Sequence, residues 1–114
     1  MLVRLNESYE VDEKPVFITV IAGEGQKAQS VVYIDANRLT SGAKIENFPL
    51  GPGKLLEGKE LRISTAVIDT NQNTNRTSVV YELKGGAIDR DFQLEYTVSK
   101  EQEQVEYYAK FRLL

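Results

Sequence analysis

The chain has 114 residues, with 14 basic and 17 acidic side chains and a formal net charge of −3. It contains no histidine, cysteine or tryptophan, so the most common general base, the thiolate nucleophile and the soft metal ligands are all missing. The mild, evenly mixed charge argues against nucleic acid or an anionic membrane surface as a partner. These properties favour a protein that acts through its surface over an enzyme.

The length predicts one domain, residues 1–114, with a core that needs no disulfide or zinc. No segment approaches 18 consecutive apolar residues, and the first residues lack the apolar region of a secretory signal. We therefore expect a soluble protein without membrane insertion. The absence of cysteine leaves the compartment open and favours the cytoplasm.

Apolar residues at every second position predict strands along most of the chain. The first strand begins near Leu2 and continues to about Val11. Pro15 stands at the start of the second, where proline is tolerated, and 16–22 is apolar on both faces apart from Thr19, which is typical of a central strand. A third strand is predicted over 30–36.

The least regular segment is 37–60, which is punctuated by Gly42, Pro49, Gly51, Pro52, Gly53 and Gly58. Only 43–48 has the pattern of a short strand there. A long crossover of this kind is what a Greek-key fold needs where the chain passes from one sheet to the other. Further alternation then predicts strands over 61–67 and 77–84.

The last third of the chain has the clearest alternation. One apolar row consists of Phe92, Leu94, Tyr96 and Val98, and a second of Val105, Tyr107, Ala109, Phe111 and Leu113. Placing a turn at 100–103 predicts a hairpin in which Phe92 faces Phe111 and Tyr96 faces Tyr107 on one side of a sheet. We also expect the first and last strands to lie at or near sheet edges.

These elements predict an all-β fold, a seven- to eight-stranded antiparallel β-sandwich with Greek-key, immunoglobulin-like topology. The Cys and Trp signature of antibody domains is absent. Fold class alone implies no function.

The segment 69–75 is the only one that resembles a ligand loop, because Asp69, Asn71, Asn73 and Asn75 place side-chain oxygens at alternate positions. Thr74 stands where a calcium loop of the EF-hand type needs glycine, and Val80 where it needs a bidentate acid. We interpret the segment as an exposed polar connector between adjacent strands that holds no ion. Asp35 would add a ligand only if it lay close in space.

Neighbouring carboxylates raise the alternative of a small hydrolase, with Asp89 and Asp91 or Glu101 and Glu103 as the acid pair. The chain is short for a cleft and lacks sugar-stacking tryptophan. We therefore predict no catalytic residue and no cofactor.

The sequence predicts a non-enzymatic module for protein–protein interaction or assembly, with a protein partner or a homo-oligomer bound through loops or an edge strand. The candidate contact residues are Asn73, Asn75, Tyr108 and Arg112. The alternative is a carbohydrate- or Ca²⁺-binding module, for which Tyr108 supplies the one aromatic ring on a polar face. The small hydrolase ranks third.

Overall fold

A computed structural model describes all 114 residues, Met1–Leu114. The elements are β1 (Leu2–Tyr9), β2 (Pro15–Ala22), β3 (Lys27–Ile34), β4 (Asn37–Gly42), β5 (Ile45–Pro52), α1 (Gly53–Leu56), β6 (Glu60–Ile68), β7 (Arg76–Lys84), β8 (Arg90–Thr97) and β9 (Gln104–Leu113). The all-β class predicted from the sequence is confirmed. Nine strands form instead of seven or eight. No helix has the length and apolar character needed to cross a membrane.

The strands form two sheets, one of five strands in the order β1-β9-β6-β3-β4 and one of four in the order β5-β2-β7-β8. All neighbouring pairs are antiparallel except β1 and β9, which run parallel. The predicted central position of the second strand is confirmed, because β2 lies between β5 and β7.

The inner faces of both sheets share one core of 21 buried apolar side chains. Strand β6 shows how alternation builds it, since Leu61, Ile63 and Val67 are fully buried while their neighbours are half-buried. Burying a side chain of this size stabilises the fold by about 1.5–3 kcal/mol. The core therefore supplies the main stabilisation, as the absence of disulfides requires.

The predicted hairpin between the last two strands is wrong. Strand β8 pairs with β7 in the four-stranded sheet, whereas β9 lies between β1 and β6 in the other. The rings of Phe92 and Phe111 do meet, with centroids 5.3 Å apart, but they approach from opposite sheets. The link from β8 to β9 crosses between the sheets, so residues expected to be neighbours on one face instead belong to two sheets.

The segment 37–60 is more regular than its sequence suggests. Strand β4 is not detected by apolar periodicity because Leu39 is its only large apolar residue and its burial does not alternate. Strand β5 overlaps the predicted short strand over 45–48 and extends to Pro52, with irregular pairing to β2 and a positive φ of 45° at Asn47. The crossover is therefore two edge strands and a helical turn.

Two links between the sheets lie at the same end of the molecule. Strand β2 is antiparallel to β7 and β3 is antiparallel to β6, so the link from β2 to β3 and the link from β6 to β7 are adjacent. The link from β8 to β9 lies at this end too, because β8 is antiparallel to β7. We call this the loop end.

Three tyrosines, Tyr9, Tyr81 and Tyr107, are at most 1 % exposed. Burial raises the pKa of each phenol above the ordinary tyrosine value. The hydroxyl of Tyr107 lies 2.5 Å from Thr77 Oγ1, whereas that of Tyr81 lies near Thr65 without a hydrogen bond of good geometry.

We predict that alkaline solution destabilises the fold through these phenols. Their pKa values are raised in the folded state, so their contribution is complete below about pH 10, the pKa of tyrosine in an unfolded chain, and is lost as the pH rises above it. Urea unfolding between pH 8 and about 11 measures this loss. Tyr81→Phe should make stability less sensitive to pH in this range, and an unchanged sensitivity would contradict the prediction.

Candidate functional site

Two of the three links at the loop end meet at the side chain of Gln26, which is 9 % exposed. Its Nε2 donates to Asp69 Oδ1 at 2.8 Å and to the backbone oxygens of Arg76 at 2.9 Å and Thr74 at 3.2 Å. Its Oε1 accepts from the backbone N–H groups of Thr70 and Asn71, both at 2.8 Å. Both ends of one amide are therefore fully engaged by the link between β6 and β7.

Asp69 is completely buried and joins this link to the one between β8 and β9. Its backbone N–H donates to Glu103 O at 3.0 Å, and its backbone oxygen accepts from Gln102 N at 2.8 Å. With its amide turned to satisfy both ends, Asn75 donates to Asp69 Oδ2 at 2.9 Å and to Glu101 Oε1 at 3.0 Å. Both carboxylate oxygens of Asp69 thus accept amide hydrogens, which is how a buried charge is held without a cation.

The other candidate ligands point elsewhere. Asn71 Nδ2 donates to Glu24 O at 2.8 Å, and Asn71 Oδ1 accepts from the backbone N–H of Asn73 at 3.0 Å. Asn73 itself is exposed. No group of three or more histidine, cysteine or acidic side chains is arranged to hold a metal ion. We call Gln26, Asp69, Asn71 and Asn75 the clasp, because their side chains bind links to one another.

The sequence interpretation of this segment needs two corrections. The segment connects β6 to β7, which belong to different sheets and are not adjacent strands. It is also not simply exposed, since Asp69 is fully buried. Gln26 accounts for the burial, because its amide donates to Asp69 Oδ1 and accepts from backbone N–H groups of the segment. Asp35 lies at the opposite end, where its Oδ1 accepts from Glu60 N at 3.0 Å.

Tyr108 and Arg112 lie on β9, which is flanked by β1 and β6 and is therefore not an edge strand. The expectation that both terminal strands lie at or near sheet edges is confirmed, because β1 is an edge strand and β9 is next to it. Tyr108 is half-buried between Arg4 and Ser64, and a shallow pocket of about 90 Å³ adjoins it. Asn73 and Asn75 lie at the loop end, so the four candidate contact residues do not form one surface.

The carboxylate pairs are placed at surfaces. Asp89 caps the turn before β8 by accepting from Gly85 N at 3.1 Å, and Asp91 stands opposite Glu82 on the neighbouring strand. Glu101 contacts Asn75, and Glu103 accepts from Ser99 Oγ at 3.4 Å. The two carboxylates of each pair therefore contact different groups of the chain.

Four strands lie at sheet edges, and two of them have features that discourage further pairing. Strand β5 contains Pro49 and Pro52 and pairs irregularly with β2, and β4 has only six residues and a break in its register with β3. Strands β1 and β8 contain no proline and pair with their neighbours in unbroken register. Sequence periodicity alone does not show which strands lie at open edges.

Strands β1 and β8 edge opposite sheets on the same side of the molecule, where Arg90 Nη1 donates to Ser8 O at 3.2 Å. Apart from the buried Tyr9, their inward-facing apolar side chains are only half-buried, unlike those of the central strands. We call this surface the open flank; its apolar residues are Val3, Leu5, Phe92, Leu94 and Tyr96. A pocket of about 370 Å³ at one end of it is lined in part by Ser8, Arg90 and Ile88, and Ile88 is 73 % exposed.

The backbone of each open edge has unused hydrogen-bonding groups. Glu106 N donates to Met1 O at 2.8 Å and Leu114 N to Tyr9 O at 3.0 Å, so the odd-numbered residues of β1 bond to β9. Alternation then turns the backbone of Arg4 and Asn6 outward. Val98 N donates to Asn75 O at 2.9 Å in the register of β7 and β8, which likewise turns the odd-numbered residues of β8 outward.

Comparisons of this chain with protein-family models, curated proteins and solved structures found no match. Functional inference therefore depends on the two features described above, the clasp and the open flank. The side chains of the clasp are engaged in hydrogen bonds within the chain, whereas the open flank retains unpaired backbone and half-buried apolar groups. The flank is the better candidate for a functional surface.

We predict that Gln26→Ala lowers the free energy of unfolding by about 2–4 kcal/mol, because it leaves a buried carboxylate oxygen and two N–H groups without partners. Urea unfolding measures the change. Asn73→Ala in the same link is the matched control and should change stability by less than about 0.5 kcal/mol. Equal effects of the two substitutions would contradict the role assigned to Gln26.

Proposed function

We propose that this protein is a non-enzymatic β-sandwich module that binds a protein partner through the open flank. The observation that carries the proposal is that the two regular, proline-free edges lie on one side, with half-buried apolar side chains between them. The polar end of the molecule, in contrast, uses its side chains to hold links together.

An added strand would pair the free backbone groups of this surface and cover its half-buried apolar side chains. Its backbone would bond to the outward groups of Asn6 on β1 or Gln93 on β8, and its side chains would cover the apolar row behind them. Long, regular edges are sites of strand addition unless a protein guards them, and the other two edges are guarded. Association therefore explains why only one flank is left regular.

We propose a Greek-key sandwich of two similar units, since β2 pairs with β5 around the β3–β4 hairpin just as β6 pairs with β9 around the β7–β8 hairpin. In immunoglobulin domains the two corresponding links between sheets start from the same sheet and lie at opposite ends. Here they start from different sheets and share the loop end, so the likeness to immunoglobulin domains is in architecture and not in strand order.

Proline at an outward position of either open edge tests the proposal. We predict that at least one of Asn6→Pro and Gln93→Pro reduces capture of the partner by about tenfold or more, because proline removes the N–H that an added strand would use on that edge. Asn6→Thr and Gln93→Thr keep that N–H and are the matched controls. The tagged chains serve as bait in extracts of cells that produce this protein, and quantitative mass spectrometry compares the captured proteins.

A partner retained by both proline variants would contradict the proposal. Loss of the partner with Asn73→Ala or Tyr108→Ala instead would move the contact to the loop end or to the outer face. Thermal unfolding with millimolar Ca²⁺ and a glycan array test the alternative ligands. A Ca²⁺-dependent rise in melting temperature, or a glycan whose binding depends on Tyr108, would replace the proposal with ligand binding.

A further inference from the structure

We propose that the open flank is occupied by a second copy of this chain, arranged about a twofold axis that runs along the strands, so that β1 of each copy pairs with β8 of the other. This inference rests on the proposed function, because it names the occupant of the same flank. It extends the five-stranded sheet of one copy into the four-stranded sheet of the other, on both sides of a shared core.

Strand direction permits this pairing. Strand β8 runs opposite to β9, because the link between them reverses the chain at the loop end, and β1 runs parallel to β9. Strands β1 and β8 of one copy therefore run in opposite directions on the same flank. A twofold axis parallel to the strands keeps every direction and exchanges the two sheets across the flank. It therefore places β8 of the partner antiparallel to β1, which is a favourable pairing.

Contacts across the core fix which residues lie at the same height. The ring of Phe92 meets that of Phe111, which pairs with Glu7. Near the other end, Thr77 pairs with Tyr96 and contacts Tyr107, which pairs with Val3. Glu7 is thus level with Phe92, and Val3 with Tyr96. The two contacts agree, because the two positions are four residues apart on each strand.

Counting along β1 and β8 from these reference positions gives the level of every other residue along the strand direction. Leu5 is level with Leu94, and on the outward rows Arg4 is level with Glu95, Asn6 with Gln93 and Ser8 with Asp91. Rotation about an axis along the strands preserves height, so these become the opposed pairs of the assembly.

The outward rows are complementary in charge. Arg4, the only charge that β1 turns outward, would stand opposite Glu95 of the partner subunit. Pairing β8 with another β8 in antiparallel register centred on Gln93 would instead oppose Asp91 and Glu95, and opposed like charges destabilise a strand pair. Charge therefore favours β1 against β8 over the most direct self-pairing.

Glu7 provides a second, independent match. It is the one charged residue on the inner row of β1, it is half-buried, and it forms no ion pair within the chain. In the assembly it stands opposite Phe92 of the partner subunit. The guanidinium of Arg90 lies over the Phe92 ring, 4.6 Å from its centroid, so Glu7 would meet that cation. An uncharged apolar strand would leave Glu7 unpaired, which is costly for a partly buried charge.

Sedimentation equilibrium of the full chain at micromolar concentrations tests the inference, with a dimer as the expected result. Arg4→Glu places two acids opposite each other and Glu95→Arg two bases, so each variant alone should weaken the dimer by about tenfold or more. An equal mixture of the two variants restores opposite charges at both strand pairs and should dimerise like the wild type. Arg38→Glu makes the same charge change on the far edge strand β4 and should leave the dimer intact.

Glu95 also binds Arg76 within its own chain, so a second pair of variants guards against misfolding. Glu7→Arg and Arg90→Glu should behave in the same way, each disrupting the dimer alone and restoring it as a mixture. A dimer unaffected by both pairs of reversals, or mixtures that stay monomeric with folded components, would overturn the inference.

Failure of this inference and failure of the proposed function are distinguishable. A chain that is monomeric at all concentrations, yet captures another protein in a manner that Asn6→Pro abolishes, overturns the second copy and keeps the flank as a binding surface. A monomeric chain whose capture ignores the proline variants overturns both.

Discussion

One neutral side chain, Gln26, joins two of the links between the sheets at the loop end. Gln26 uses every donor and acceptor of its amide to bind the link between β6 and β7, and Asp69 extends this network to the link between β8 and β9. Inside a protein such hydrogen bonds are strong, but an unpaired polar group there is expensive. Loss of one member therefore destabilises the loop end, and the clasp side chains are engaged within the chain.

How much of this could be predicted from the sequence depends on the range of the interaction. Alternation along β9 identifies the inward side chains correctly, because period two is a property of one strand. It does not identify the neighbouring strand, so Phe92 and Phe111 are placed together but in the wrong sheet arrangement. The site is harder still. Gln26 lies in the short link between β2 and β3, directly after Gly25. Its partners are 43 to 50 residues away along the chain, and no local sequence pattern indicates a contact over that separation.

The edges show the same division between local and distant causes. Proline in β5 marks that strand as protected from its sequence alone, because the ring removes an N–H wherever it lies. The openness of β1 and β8 depends instead on which strands end each sheet, which follows from the whole topology. The half-buried row that includes Leu5 and Leu94 is likewise a consequence of two edges meeting. Periodicity shows these residues as inward-facing but not as incompletely covered.

The parallel pairing of β1 with β9 has a consequence for how the chain reaches its native state. Leu2 pairs with Glu106, so β1 is synthesised long before β9, the strand that gives it a place in the sheet. Pairings this far apart in sequence slow folding, because a long loop must close before its contacts form. During that interval the apolar row of β1 is exposed to other nascent chains. Glu7 lies within that row and places a charge among its apolar side chains. This charge reduces the tendency of the unpaired strand to aggregate before it pairs with β9.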